Sequence, residues 1–344
     1  MSSHILYRLP NEKIVHQLDA QASPRHLSRY GEVGNHKGYV FAPFSIGEKS
    51  PILLIEADEE SSWIVPTNWA ARHIAYAADE KKSRSNYERD FSQCLEALGG
   101  EQVEKIVLSR SLSLRLDSII DESDERNFFI AACNYYPQAY VALIKTEETG
   151  TWLVATPEVL IEEREGCFHT MALAATMQAD EGEGLSPNLW SDSYRKEQRI
   201  VADYIDEQLR QLGLLPAASA LHLKRAAHLV HLCTDFSLPT PLPCPLGDVV
   251  EALHPTPAVC GWPTTTAAML LNQIEGHERN YYAGFSGPIG LSGGTHLFVT
   301  LRCMQLMSDS AILFAGGGLL PTSHLESEWI ETQRKMKTML RLLQ

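Results

Sequence analysis

Between Lys105 and Leu173 the chain is a series of short segments, KIVLSRSLSLRL, AYVALIK, TWLVAT, EVLIEE and CFHTMAL, each rich in β-branched or alternating apolar residues and each closed by a polar, Gly or Pro break. Alternation with period two buries one face of a strand, and polar or Gly/Pro breaks separate strands of an antiparallel sheet. The middle of the chain is therefore expected to fold as antiparallel sheet. Residues 1 to about 85 read as mixed short strands and loops, such as YVFAPF and PILLIEA, without a motif that carries chemistry.

Helical periodicity enters later. A helix is expected over about 192–212, opening at Ser191/Asp192 as a cap and ending before Gly213, with Val201, Tyr204, Ile205, Leu209 and Leu212 as its apolar stripe. Glu197 precedes Val201 by four and Tyr204 by seven, which puts its carboxylate on or beside the buried face. Further helices are expected from Thr264 to Glu275, stopped by Gly276, and from about Ser323 to Leu343. The segment from about 280 to 320 again alternates strand and glycine turn.

With 344 residues, 44% of them hydrophobic and 21% charged, the chain can bury a sizeable core. By length it is about two domains or one large β-rich one. The formal net charge of −14 disfavours nucleic acid or an anionic membrane as partner, because both are held through basic patches. It would also repel an anionic small substrate at long range, so such a ligand needs local cations. The start, MSSHILYRLPNEK, does not read as a signal peptide, and no apolar run reaches membrane-span length. Seven scattered cysteines without C-x-x-C spacing argue against a disulfide framework or zinc site and fit a reducing cytosol.

Several candidates for chemistry compete. GLSGG at Gly290–Gly294 matches the G-x-S-x-G nucleophile elbow, but the following HLFVTLR reads as strand where the elbow needs a helix, so a hairpin turn is expected. His228 and His231, three apart and near Cys233, have a spacing that holds zinc on a helix, but no partner pair is apparent. Gly316, Gly317 and Gly318 follow a strand and either present N–H groups to an anion or make a turn. Glu328 and Glu331 share a helix face with Lys335, which is either a solvated ion-paired face or, with Glu197 as third carboxylate, an oxygen-ligand site for magnesium.

Taken together, KIVLSR from Lys105, TPEVL from Thr156, MALAAT from Met171, HLCT from His231, LHPTPAVCG from Leu253, YAG from Tyr282, VTLR from Val299, GGGLLP from Gly316 and EWIETQRK from Glu328 to Lys335 closely resemble the chorismate-binding enzymes. That family includes isochorismate synthases, salicylate synthases and the large subunits of anthranilate and aminodeoxychorismate synthases. The likeness covers residues 105–344. It implies an α+β fold over 1–344, one large domain of two packed antiparallel sheets with helices outside, in which 1–85 supplies part of the sheet.

The resemblance also implies roles. Glu197 and Glu328 would bind Mg2+, with Glu331 assisting through water. Thr176, Tyr282, Arg302 and the Gly316 turn would hold chorismate, and Lys335 and His231 would line the site. Lys105 would be the general base and Glu158 the general acid. A lysine of ordinary pKa, about 10.4, would need to be depressed to serve as base. Ammonia-using members usually lack the lysine and work with a glutamine amidotransferase, so no obligatory amidotransferase partner is expected here. Salicylate synthases carry threonine where this chain has Ala258, which points to isochorismate synthase, of the menaquinone or siderophore type. The rival expectations are salicylate formation, an ammonia-using subunit, or a chorismate-binding module without turnover. The chain departs from the family pattern at Ala175, where glycine is usual, at Tyr194 and Gln198 around the metal glutamate, and at His296.

Overall fold

All five β-rich segments are strands in the computed structural model, which describes residues 2–69, 72–100, 102–179, 186–226, 229–291 and 293–344. They divide between two antiparallel sheets. Lys105–Leu116, Tyr140–Thr146 and Gly150–Thr156 lie in the first, while Val159–Arg164 and Cys167–Gln178 lie in the second. In the first sheet Lys105–Leu116 pairs with Ser310–Leu319 along its length, and Cys303–Leu306 links that pair to Gly150–Thr156. In the second, Cys167–Gln178 is flanked by Val159–Arg164 and Leu229–Leu238, and the order continues through His296–Val299 to Phe285–Ile289.

The N-terminal region completes both sheets. Ser3–Arg8 pairs with Tyr140–Thr146 in the first, and Gly38–Ala42 pairs with Phe285–Ile289 in the second. Its strands Ser3–Arg8, Gly38–Ala42 and Ile52–Ile55 are short and largely buried, while Glu59–Ile64 is an exposed polar edge strand, and none carries a chemical motif.

The sheets bury a shared aromatic core. Trp152 stacks on Phe314 with ring centroids 5.6 Å apart, and Tyr140 stacks on Phe298 at 4.2 Å. Tyr39 and Tyr140, from opposite sheets, share a hydroxyl hydrogen bond of 2.8 Å. Each such side chain fully removed from water contributes roughly 1.5–3 kcal/mol. A second apolar layer covers the outer face of the first sheet, including Phe128, Phe129, Met336 and Leu343. Two packed sheets with helices outside make one α+β domain, as the resemblance implied.

Among the described residues the α-helices are α1 (Glu80–Gly99), α2 (Glu122–Tyr135), α3 (Asp192–Gln211), α4 (Leu246–Leu253), α5 (Thr264–Ile274) and α6 (Leu325–Leu340). In α3 the Ser191 side chain accepts from the Tyr194 N–H, and Gly213, at φ 77°, follows the Leu212 cap. Val201, Tyr204, Ile205 and Leu209 are buried as expected, while Leu212 caps the helix and Gln198 joins the buried face. Helix α6 is shorter than the sequence suggests. Ser323 Oγ accepts from the Leu320 N–H and donates to Glu328, which holds Ser323 outside the helix, and Arg341–Leu343 tightens into a 3-10 turn. Among the described residues no helix is long and apolar enough to cross a membrane.

Candidate active site

The chain crosses from one sheet to the other at Pro157–Glu158 and returns at Thr300–Arg302. These crossings open a cleft between the sheets. Glu158, Thr176, Glu197, His231, Ala258, Tyr282, Arg302, Gly316 and Lys335 all line it. Lys105 stands directly behind the Gly318 backbone, because a β-carbon on Gly318 would lie 2.8 Å from Lys105 Cε and 2.3 Å from Glu197 Oε1. Glu328 and Glu331 line the adjoining mouth together with Thr176, Glu197 and Gly318. Residues spread over 230 positions are thus brought to one place by strands, two helices, two turns and two crossovers; Gly316, Gly317 and Gly318 do not form the expected turn but run within Ser310–Leu319, paired with Ser109, Leu108 and Val107.

Lys105 is wholly buried, at 0% exposure. Its Nζ lies 3.2 Å from Glu197 Oε1, but the angle is poor and the ammonium has no well-formed hydrogen bond. Glu158 is also buried, and desolvation pushes its carboxyl up to about 7 despite the opposing fields of Lys105 and Arg302. A carboxyl in that range is about half protonated at neutral pH, so a proton-donating form is present there.

The cationic side of the cleft is equally ordered. Arg302, at φ 47°, points its guanidinium at His231, with 3.5 Å between the nitrogens, and His231 Nδ1 lies 3.1 Å from Thr176 Oγ1. Burial and the charges of Arg302 and Lys335 hold the imidazole well below its usual pKa, so His231 is neutral. Lys335 Nζ donates to the Gly316 carbonyl at 2.8 Å and to Glu331 at 2.6 Å. The ion pair anticipated on the last helix is present, but it faces the cleft mouth rather than open solvent.

Glu197, Glu328 and Glu331 are not gathered to ligand-ligand distance; each is engaged separately, by Lys105, Ser323 and Lys335. Like charges without a cation repel. Glu328 registers this, since burial and then Glu331 raise its carboxyl to about 8. The missing β-carbons of Gly317 and Gly318 leave the space into which these carboxylates reach: a β-carbon on Gly317 would stand 3.1 Å from Glu328 Oε2. Two or three oxygen donors around such a gap suit magnesium, which keeps several of its waters.

The departures from the family pattern fall in different places. Ala175 adopts φ 61° at the register shift between Ala174 and Thr176, a bulge that turns Thr176 toward His231. Tyr194 lines the carboxylate mouth. Gln198 turns away and donates to Thr234 at 2.9 Å. His296 bonds the Gly293 carbonyl at 2.7 Å, faces Glu162, and does not line the cleft.

The competing motifs resolve as well. The glycine-rich segment after Ile289 joins two antiparallel strands, Phe285–Ile289 and His296–Val299, as a hairpin; Ser292 itself lies outside the described residues. His228 also lies outside them. His231 and Cys233 sit on a strand rather than a helix, so helical spacing does not apply. All seven cysteines are free.

A family model described as chorismate binding enzyme matches residues 56–344. Isochorismate synthase EntC of Escherichia coli (strain K12) is 27% identical over 326 residues, covering 86% of this chain and 81% of that protein. Isochorismate synthase DhbC of Bacillus subtilis is 30% identical over 274 residues, 75% of this chain and 67% of that protein. Among solved structures, MenF, the menaquinone-specific isochorismate synthase from Escherichia coli, matches with a TM-score of 0.79 at 17% identity, over 99% of this chain and 89% of that one. Anthranilate synthase component I from Streptococcus pneumoniae matches with a TM-score of 0.69 at 15% identity, over 98% and 92%. The structural likenesses establish the fold, and the family match runs through every strand and helix that lines the cleft, so the chain belongs to the chorismate-binding enzymes.

Proposed function

We propose that this protein is an isochorismate synthase, an isomerase that converts chorismate to isochorismate with Mg2+. The observation that carries the reading is the pairing of a fully buried lysine, Lys105, with a carboxyl raised to about 7, Glu158, at one cleft. In this reading Lys105 is the base and takes a proton from water as the oxygen attacks C2 of the ring. The ring double bonds shift, and Glu158 gives its proton to the C4 hydroxyl, which leaves as water. Proton return from Lys105 and to Glu158 resets the site.

Arg302 and Lys335 supply the local cations that a dianionic substrate needs against a net charge of −14. Neutral His231, fixed between Thr176 and Arg302, holds the guanidinium in place. Glu197 and Glu328, with Glu331 through water, would hold magnesium, which would supply positive charge for a substrate carboxylate. Lysine at 105 supports water rather than ammonia as nucleophile, and hence no amidotransferase partner. Ala258 in the cleft wall supports isochorismate over salicylate as product. The free cysteines support a reducing cytosol.

The test is incubation with chorismate and Mg2+, with and without ammonia, followed by chromatographic separation of products. Isochorismate formed only with metal is the expected result. Salicylate with pyruvate, or an aminated product, would reassign the reaction, and binding without turnover would make the chain a chorismate-binding module.

A further inference from the structure

On the second sheet, beyond the cleft, the strand His222–Ala226 pairs with Leu229–Leu238 so that His222 stands opposite Cys233. Asp235 follows Cys233 by two and shares its face. The three donor atoms, one each of nitrogen, sulfur and oxygen, lie within 4.8 Å of one another. His222 Nε2 is 3.3 Å from Asp235 Oδ2, and Cys233 Sγ is 3.7 Å from Asp235 Oδ1. A tetrahedral zinc with bonds of about 2.3 Å to sulfur and about 2.0 Å to nitrogen and oxygen has ligand-ligand edges of about 3.3 Å (N to O) and about 3.5 Å (S to O). The two measured edges are close to these values but end on the two different oxygens of Asp235, so a rotation of its carboxylate brings one oxygen to both partners, while the nitrogen-to-sulfur edge lies within 4.8 Å.

A separate contact prepares the imidazole. His222 Nδ1 lies 3.2 Å from the Ala220 carbonyl, which selects the tautomer with the proton on Nδ1 and turns the Nε2 lone pair toward Cys233 and Asp235. The Asp235 backbone is clamped too, donating to Ser219 Oγ at 3.0 Å and accepting from the Ser219 N–H at 2.8 Å. Cys233 is buried at the base, while the His222 and Asp235 side chains are 40% and 45% exposed, leaving an approach for an ion and a place for a water. Lys224, the nearby cation on the same strand, holds its Nζ against Met171 Sδ at 3.4 Å.

We propose that His222, Cys233 and Asp235 form a binding site for a thiophilic divalent cation, zinc by its donor set, distinct from the carboxylates of the cleft. A thiolate donor excludes magnesium from this position. Bound there, the ion ties together the two strands that lead to His231, two residues before Cys233, and stabilises that wall of the cleft.

Metal-stripped full-length protein titrated with Co2+ as probe is expected to develop a thiolate-to-cobalt charge-transfer band, saturating with one cobalt at this site, that Zn2+ removes and excess Mg2+ does not. Cys233→Ser should abolish the band. Asp235→Asn, an exposed and conservative change, should weaken cobalt affinity at least tenfold, while Glu328→Gln should leave it intact. A parent protein without the band, a band that survives Cys233→Ser, or unchanged affinity in Asp235→Asn would each overturn the site and leave His222 and Asp235 as a simple ion pair.

Discussion

Lys105 Nζ and Glu197 Oε1 stand 3.2 Å apart, so the group assigned as base and a carboxylate assigned to the metal hold each other. Breaking a buried pair from either side has unequal consequences, because the partner left behind is either a wholly buried ammonium or a carboxylate that is 14% exposed and opens on the cleft mouth. Glu197→Ala strands a wholly buried ammonium and is expected to destabilise the protein by about 3 kcal/mol. Lys105→Met fills the same space with an apolar chain and is expected to cost less than about 1 kcal/mol, yet to lower kcat by about 10²–10⁴-fold. Urea unfolding and product assays on the two variants check this. Lys105→Met with parental kcat would remove the lysine from the chemistry.

Glu158 gives two pH dependences with one origin. Its carboxyl is raised from 4.5 to about 7 by burial, so the acid form needed for proton donation is lost above that pH and kcat/KM is expected to fall there. Stability follows the same sign. A carboxyl whose folded pKa is raised stabilises fully below its unfolded pKa, and that contribution disappears as pH rises through the folded value, here about 3 kcal/mol between pH 4.5 and 7. Glu158→Gln should abolish most activity and flatten this part of the stability profile. Denaturant unfolding of both proteins at pH 5 and pH 8 measures the difference, and equal slopes would remove Glu158 as the titrating group.

What could be read from the chain and what could not divides along physical lines. Glu197 could be placed beside the core because Ser191 caps its helix and Val201, Tyr204, Ile205 and Leu209 define one apolar face. The family motifs then gathered the cleft residues from four strands, two helices, two turns and two crossovers. The pairing of Lys105 with Glu197 was invisible, since a strand and a helix 92 positions apart meet only through packing. So was the His222, Cys233 and Asp235 group, which depends on the register of two strands and shares only Cys233 with the His228, His231 and Cys233 spacing noted in the sequence. The first 85 residues gave no functional signal because their strands serve to close both sheets.

Ala175 bears a backbone penalty that its family position makes readable. At φ 61° its β-carbon crowds the backbone, an arrangement that costs an L-residue about 1–2 kcal/mol and glycine nothing. Ala175→Gly recovers that strain but adds unfolded-chain entropy, for a net gain of up to about 1 kcal/mol. Ala175→Val, with a branched β-carbon in the same backbone region, should destabilise by more than about 1 kcal/mol. Thermal unfolding should therefore rank Gly above Ala above Val. The reverse order would mean that the bulge relaxes and that Thr176 is not held against His231 by it.

Glu328 separates the demands of folding from those of the metal. Its carboxyl, raised to about 8 by burial and by Glu331, resists ionisation in the metal-free protein, so ionising it at alkaline pH costs stability. Glu328→Gln keeps the shape and removes that charge. At pH 9 without metal the variant is expected to melt above the parent, because the folded pKa lies above the unfolded one and the parent's penalty is then fully present. Added Mg2+ should reverse the ranking, since it stabilises the parent by binding the folded state, while the variant, short of one carboxylate, loses at least tenfold in magnesium affinity. Melting curves for both proteins across a magnesium titration read the two effects separately. An equal magnesium-induced shift in parent and variant would take Glu328 out of the metal site, whereas a variant less stable without metal would show that Ser323 and the helix start, rather than charge repulsion, govern this carboxylate.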